Sequence, residues 1–532
     1  MVTDHLFDRQ AYREVLEKRV IALKDGYRQN VALIGDEQVG KTCLIHGFLR
    51  GFLDSRFIMV YVEARPETLA SFVRRFVGIL LYNFLSNASV PLKEDLEFLV
   101  EKASGYIPRT TAKIQALLAD VDRRKRESIF GELLSLTALI HQETGKFCVV
   151  FFDEFHLLEG LGSKSLYGEW SQRLLLDKTT LYVISSSAPY KAKAILARDL
   201  SLLFGNFEVI IVEPFDIPTS ARFLEHLTQG FGLKEEERDF IIHFTGGSPF
   251  YLGVIAESLI ARPGTGVADV LEQLLFCSSG VLHQRFTAHL KRFQDALVSA
   301  DCLNIMNLVA SGQNRVKDIA HILKKPVKEI TGRVGFLLEK DVLVRCGDFL
   351  KVADRVFGFW LKSVHQEKRT SLTFDASNQK AGFRKGIETM LQEFAAVSHQ
   401  SLGERMVGIL RLFADDRIQI ERKRITLNHF REIKPLDLKG RGLHEGLLCR
   451  SQDSLWIIGL GSDAVTEEDI AEFSKECKRY RGKLVRRIII TPRGIDTNSR
   501  LKALEEHIWT WGLDNINDMF DLFSKPRIIA NV

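Results

Sequence analysis

The sequence predicts an α/β protein: a parallel sheet with helices on both faces, then an all-helical stretch, a small helix-and-hairpin unit and a second mixed α/β domain. Three observations predict it. Short, nearly unbroken apolar runs alternate with helical stretches through residues 1–260, as in a parallel sheet with helical crossovers. Residues 214–295 carry helical periodicity alone. From 390 onward the pattern is mixed again.

The strands of the first sheet are expected at "VALIG" (31–35), "FIMVYVE" (57–63), "FCVVFF" (147–152), "TLYVISS" (180–186) and "EVIIVE" (208–213). Such near-continuous apolar runs suit parallel strands covered on both faces. A long helical block, 67–145, separates the second from the third. In it Leu69, Phe72, Val73, Phe76, Val77 and Leu80 recur at i, i+3, i+4 spacing, with Arg74 and Arg75 off the stripe, so the stripe is expected to pack on the core. Residues 300–362 hold "CLNIMNLVA", a Ser-Gly break, "VKDIAHIL" and "VKEITGRVGFLLEK", then a β-like pair, "VLVRC" and "FLKVAD", around Gly347 and Asp348. Three short helices followed by a hairpin outline a winged helix-turn-helix. The charged stretch 366–385 reads as a linker. Beyond 390 come a helix, strands near 446–449, 455–461 and 486–491, and a helix at 466–480 between the last two. The domains expected are 1–215, 216–295, 296–365 and 386–532.

A chain of 532 residues has room for roughly three or four such domains. Its net charge of +5 permits a local nucleic-acid surface without arguing for one. Cys43, Cys148, Cys277, Cys302, Cys346, Cys449 and Cys477 are scattered, odd in number and without a CxxC pair, which suits a reducing cytoplasm and speaks against a disulfide framework or a zinc site. The charged start "MVTDHLFDRQAYREV" is unlike a signal peptide, and no transmembrane helix or membrane partner is expected.

One motif carries chemistry. "GDEQVGKT" (35–42) fits GxxxxGK[ST] and stands between a strand and the helical run "CLIHGFL". Gly35 and Gly40 allow backbone turns that aim successive N–H groups at one point, where they and the helix N-terminus form a site for phosphate oxygens. Lys41 places a cation on the β- and γ-phosphates, and the Thr42 hydroxyl ligates Mg²⁺. The loop residues Gly35, Gln38, Val39, Gly40, Lys41, Thr42 and Cys43 are the expected ATP contacts. In "FCVVFFDEF" (147–155) an apolar strand ends in two adjacent carboxylates that point different ways. Asp153 is suited to hold Mg²⁺, and Glu154 to orient and deprotonate a water. Alone, such a pair is more often a solvated turn; after a phosphate loop it is the expected partner. Hydroxyls in "VISSSAP" (183–189), with Ser185 and Ser187 as candidates, are placed to reach the phosphate or the water; a plain serine-rich turn is the other reading.

Together these segments resemble the archaeal-type ATPase family of the AAA+-related STAND group of P-loop NTPases, over nearly the whole chain. "LFDRQ" is similar to the family's opening F-x-x-R-E element. "FTGGSPFYL" (244–252) is similar to its GGxPxYL element, and "FLKVADRVFGFWL" (349–361) resembles its Y-x-I-x-D-x-x-F-x-F-W element. The resemblance implies an ATP-dependent switch that repositions a winged helix and a C-terminal domain. Where the family tends to have "LYGR", this chain has "LFGN" (203–206); Asn206 replaces an arginine, which bears on hydrolysis more than on binding.

The family's C-terminal domain resembles a PD-(D/E)XK nuclease, whose carboxylates bind Mg²⁺ and whose lysine positions the water or its charge. Set against that pattern, "HEGLLCRSQDSLWIIGLGS" (444–462) has Gly446 for the aspartate, Gly459 for the glutamate and Gly461 for the lysine. This implies a degenerate, inactive restriction-endonuclease-like domain, with Gly446 and Gly459 on neighbouring strands facing one shallow cleft near Glu404. The other reading is that the glycines admit a close neighbour or a bulge. Duplex DNA is an expected partner at two places: Lys324, Lys325, Lys328 and Arg333 near the proposed recognition helix, and "KECKRYRGKLVRR" (475–487), with seven Lys or Arg against one Glu. Each is also readable as only a solvated face, which charge runs usually are. The function expected is a cytoplasmic Mg²⁺-dependent ATPase that acts as a switch on DNA, a protein partner or a second copy. The alternative is a DNA-binding or scaffold protein that holds nucleotide and turns over little.

Overall fold

The computed structural model describes residues 7–529 apart from 89–92, 124–127, 163–164, 202–206, 297–299, 371–375, 421–422, 462–463 and 481–483. The chain divides into two compact units. One is Met1–Phe215 with Ser248–Phe250 and Glu339–Asp341; the other is Asp216–Gly247, Tyr251–Leu338 and Val342–Val532.

The first unit contains β1 (Val31–Ile34), β2 (Phe57–Glu63), β3 (Phe147–Asp153), β4 (Thr180–Ser186) and β5 (Glu208–Ile211). They form one parallel sheet in the order β2-β3-β4-β1-β5. The apolar runs are explained by cover on both sides. Phe151 joins a core of Leu16, Val20, Phe48 and Val183, while its neighbour Phe152 joins Phe72, Phe76, Phe130 and Trp170. Phe152 meets Trp170 edge-on, ring centroids 5.1 Å apart. β5 departs from this pattern: it lies at the sheet edge, and Val209 and Ile211 are exposed.

The block 67–145 resolves into helices including Leu69–Asn87, which starts at a Thr68 side-chain cap on Ser71 N–H. This helix is long and apolar enough, by length and composition, to cross a membrane, a segment that the sequence reading did not expect. Its stripe of Phe72, Val73, Phe76, Val77 and Leu80 is buried in the sheet's core.

The second unit begins with helices. Helices Ala300–Ala310, Val316–Leu323 and Val327–Glu339 then lead into an antiparallel hairpin of β6 (Leu343–Cys346) and β7 (Phe349–Val352). Two of the unusual sequence elements meet here. Asp354 caps the helix Arg355–Trp360 through Phe357 N–H (2.9 Å) and accepts the Tyr251 hydroxyl.

The described parts of the expected linker, up to 370 and from 376, are helical instead. Helix Ala376–Ser398 buries Phe383, Ile387 and Phe394, spaced four and seven residues apart, and its Arg384 pairs with Asp269 at 2.8 Å. The charges of 366–385 therefore belong in part to the polar face of an amphipathic helix, and the boundary expected at 386 falls inside it.

The C-terminal part has the helix Leu402–Leu410 and a two-stranded ribbon of β8 (Asp416–Ile420) and β9 (Lys423–Leu427). It also has a five-stranded sheet of β10 (Glu432–Asp437), β11 (Glu445–Arg450), β12 (Leu455–Leu460), β13 (Leu484–Thr491) and β14 (Trp509–Gly512), in that order. β10, β11 and β12 are antiparallel neighbours; β12, β13 and β14 run parallel, with the helix Glu467–Lys478 crossing between β12 and β13.

Candidate active site

At the end of β1 a Cβ on Gly35 would lie 2.2 Å from the Val212 carbonyl oxygen, so this position needs glycine. Gln38 (φ +66°) and Gly40 (φ +97°) turn the loop through the left-handed region, and a Cβ on Gly40 would meet only open space. Gly40 is the N-cap of the helix Lys41–Gly51, whose first N–H groups have no partner inside the helix. Val39 packs its side chain into the core and gives its carbonyl to Arg9 Nη2 at 3.0 Å, which leaves only its N–H for a ligand. Arg9 also donates to Glu213 O (2.6 Å) and lies over Phe215 (4.8 Å). The arginine of "LFDRQ" thus braces the loop from behind.

Lys41 is 4% exposed and donates to Gly35 O (2.9 Å) and Asp36 O (2.8 Å). Burial lowers its pKa against the opposing pull of Glu154 and Asp153. Thr42 and Cys43 are exposed at the helix start.

Because β4 lies between β1 and β3, hydroxyls at its end come beside the carboxylates that end β3. Asp153 is 2% exposed and gathers three hydroxyl donors: Thr42 (2.8 Å) and Tyr61 (2.8 Å) on Oδ2, and Ser185 on Oδ1. Glu154 takes a left-handed conformation (φ +53°) just after the strand. Its Oε2 accepts Ser187 N–H and Ser187 Oγ–H, both at 2.8 Å. Burial pushes the Glu154 carboxyl up, opposed by those two bonds. His156, whose Nδ1 is 2.8 Å from Ser186 Oγ, is held down to about 4 by burial and then by Lys191 and Lys41, so its ring is neutral near pH 7. The two adjacent carboxylates do have separate surroundings. Tyr61, Arg9 and His156 are the site residues the sequence reading missed; a polar hydroxyl in the otherwise apolar run of β2 was the available signal for the first. Asn206 lies outside the described residues.

These residues fit a Mg²⁺–nucleoside triphosphate. The turn at Gly40 is free of side chains, Lys41 supplies a cation, and a hydroxyl and a carboxylate stand 2.8 Å apart where a hard divalent ion takes oxygen ligands.

The glycine face of the second unit is different. Gly446 and Gly459 are register partners on β11 and β12 and so share a face. A Cβ on Gly446 would lie 3.1 Å from Leu438, one on Gly459 3.1 Å from Phe473, and one on Gly461 2.9 Å from Val465. The expected cleft is therefore filled by apolar side chains. Glu404 does not face it: its carboxylate accepts Ser401 N–H at 3.0 Å and completes a capping box. The neighbouring Gly403 approaches Leu460, on the opposite side of β12.

The basic stretches are also partly spoken for. Lys325 pairs with Asp301 (2.5 Å) and Arg333 is half-buried, leaving Lys324 and Lys328 exposed. In 475–487, Lys475 pairs with Glu472 and Arg479 with Glu476. Arg486 sits over the rings of Trp456 (4.8 Å) and Trp509 (4.4 Å), and Arg487 donates to Glu506 O. Arg481 and Lys483 lie outside the described residues. Four of the seven cations of 475–487 are engaged within the protein.

The parallel sheet and its strand–loop–helix turn define a P-loop NTPase α/β fold. A Walker-type ATPase of Pyrococcus abyssi shares the fold, with a TM-score of 0.50, 18% identity, and coverage of 67% of this chain and 96% of that one. The Aeropyrum pernix ORC2 protein, in ADPNP and ADP complexes, aligns with a TM-score of 0.42 and 12% identity over 69% of this chain and 96% of its own. The Aeropyrum pernix ORC1 protein, in complex with DNA, aligns with a TM-score of 0.37 and 14% identity over 68% and 93%. No family model matches the chain, and no curated protein matches it in sequence.

Proposed function

We propose that this chain is a cytoplasmic, Mg²⁺-dependent ATPase of the archaeal-type family, working as a switch. The observation that carries the reading is the Thr42–Asp153 pair, 2.8 Å apart, beside a loop that ends in Lys41. Thr42 and Asp153 would hold Mg²⁺, which, bound with ATP, neutralises charge on the phosphates. Lys41 exchanges its loop carbonyls for phosphate oxygens. Glu154, its carboxyl already raised by burial, accepts a proton from the attacking water at Oε1 or Oε2. Ser187 sets the direction of that carboxylate.

The reading extends to the second unit. The three helices and hairpin act as a winged helix, with Lys324 and Lys328 toward DNA. The C-terminal domain is a restriction-endonuclease-like fold without nuclease activity; the strand order β10 to β13 with its crossover helix supports the fold, and the apolar packing at Gly446, Gly459 and Gly461 supports the inactivity. The test is steady-state ATP hydrolysis by wild type and Glu154→Gln, with and without duplex DNA. Glu154→Gln is expected to keep nucleotide and lose turnover by about 10²-fold or more. Wild-type protein that binds ATP without turnover would favour the scaffold reading instead.

A further inference from the structure

The turn of the hairpin β6–β7 is tied to the ribbon β8–β9. At its turn, Asp348 N–H donates to Arg417 O (2.8 Å) and Arg417 N–H donates to Asp348 Oδ2 (2.9 Å). A Cβ on Gly347 would lie 2.1 Å from Arg417 O, so the two backbones touch. Arg315 forks onto the buried Asp416, with both bonds 2.9 Å, and lies 4.6 Å over the Phe349 ring. Phe349 shares a core with Ile418, Ile420, Ile425 and Leu427. The turn is therefore pinned, although Val344, Arg345 and Asp348 stay exposed. The ribbon β8–β9 is packed against it.

That ribbon has two faces. Ile418, Ile420, Ile425 and Leu427 are buried; Arg417, Gln419, Arg424 and Thr426 are exposed. The register pairs Arg417 with Thr426 and Gln419 with Arg424, so the four form one polar patch. Neither arginine makes a side-chain ion pair among the described residues. The acids at its base are engaged: Asp415 accepts His429 N–H (2.9 Å), and Asp416 is held by Arg315. The occupant follows from shape and charge. A two-stranded antiparallel ribbon fits the B-form major groove, and Arg, Gln and Thr are residue types that reach phosphates and base edges there. The deep, narrow major groove of A-form RNA does not admit one.

We infer that the exposed face of β8–β9 is a binding surface for B-form DNA, beside the hairpin turn to which it is tied. The inference is independent of nucleotide binding. It is tested by fluorescence anisotropy of the full chain with a labelled mixed-sequence DNA duplex across a salt series. Arg417→Ala with Arg424→Ala is expected to weaken binding about tenfold and to flatten the slope of log K against log salt by about 0.9 per lost contact. The series is run in EDTA without nucleotide, which separates this outcome from failure of the ATPase reading. Should the double variant melt early, Arg424→Glu alone, two register positions along the ribbon from Arg417, is expected to weaken binding in the same direction. Wild-type-like binding by a folded ribbon variant, no salt-sensitive DNA binding by wild type, or equal competition by duplex RNA each overturns the inference.

Discussion

The ends of two strands, β3 in the first unit and β12 in the second, have been built in opposite ways. Asp153 lies among Thr42, Tyr61 and Ser185, each donating to it. Gly459 lies among Phe473 and Leu443, and Gly446 against Leu438. A buried carboxylate is tolerated only where donors replace the water it gives up. The first site keeps those donors on three different elements. Among the described residues, the side chains nearest the second are apolar, so an acid placed there would meet no donor among them. Activity at such a site is a property of the surrounding shell as much as of the ligand residue.

The largest expected effect separates the two sites at once. Lys41→Ala removes the cation set in the loop and should abolish the rise in melting temperature produced by Mg-ATP; a retained shift would break the reading of the first site. Next, Gly459→Glu puts an acid among Phe473 and Leu443, at the position where the proposed nuclease pattern would have one. It should destabilise the second unit by about 3–5 kcal/mol, read by chemical denaturation, and bring no metal-dependent cleavage of DNA. If it is tolerated, or cleaves, the apolar packing is not what silences that face.

A smaller effect sharpens the role of the shell. Tyr61→Phe removes one donor from Asp153 and should raise the Mg²⁺ concentration for half-maximal turnover by about tenfold, with ATP binding in EDTA unchanged. The smallest concerns His156. Its folded pKa of about 4 lies below the ordinary 6.5, so the unfolded chain binds the extra proton between those values. Its neutral burial therefore supports stability above pH 6.5, and that support is lost as pH falls toward 4. His156→Gln should make the melting temperature less steep across that window, with the buried His243 left to account for part of the remaining slope.

What the sequence determined by itself was contiguous. The phosphate loop, the strand ending in Asp153 and Glu154, the stripe from Phe72 to Leu80 and the three helices before the hairpin are all set by residues within a few turns of one another, where side-chain spacing and backbone freedom dictate the local form. The glycines at 446 and 459 were legible as a loss of side chains for the same reason. What filled the space was not. Leu438, Leu443 and Phe473 come from a loop and a helix, and spacing along one strand carries no information about them. The tertiary structure alone brought Tyr61 to Asp153 across 92 residues and Arg9 to Glu213 across 204. It also turned Glu404 back on its own helix and showed that charges at 366–385 lie partly on a packed helix. Its last decision was to tie the β6–β7 turn to Arg417, because hydrogen-bond donors and apolar faces find partners by closeness in space, which a linear pattern does not encode.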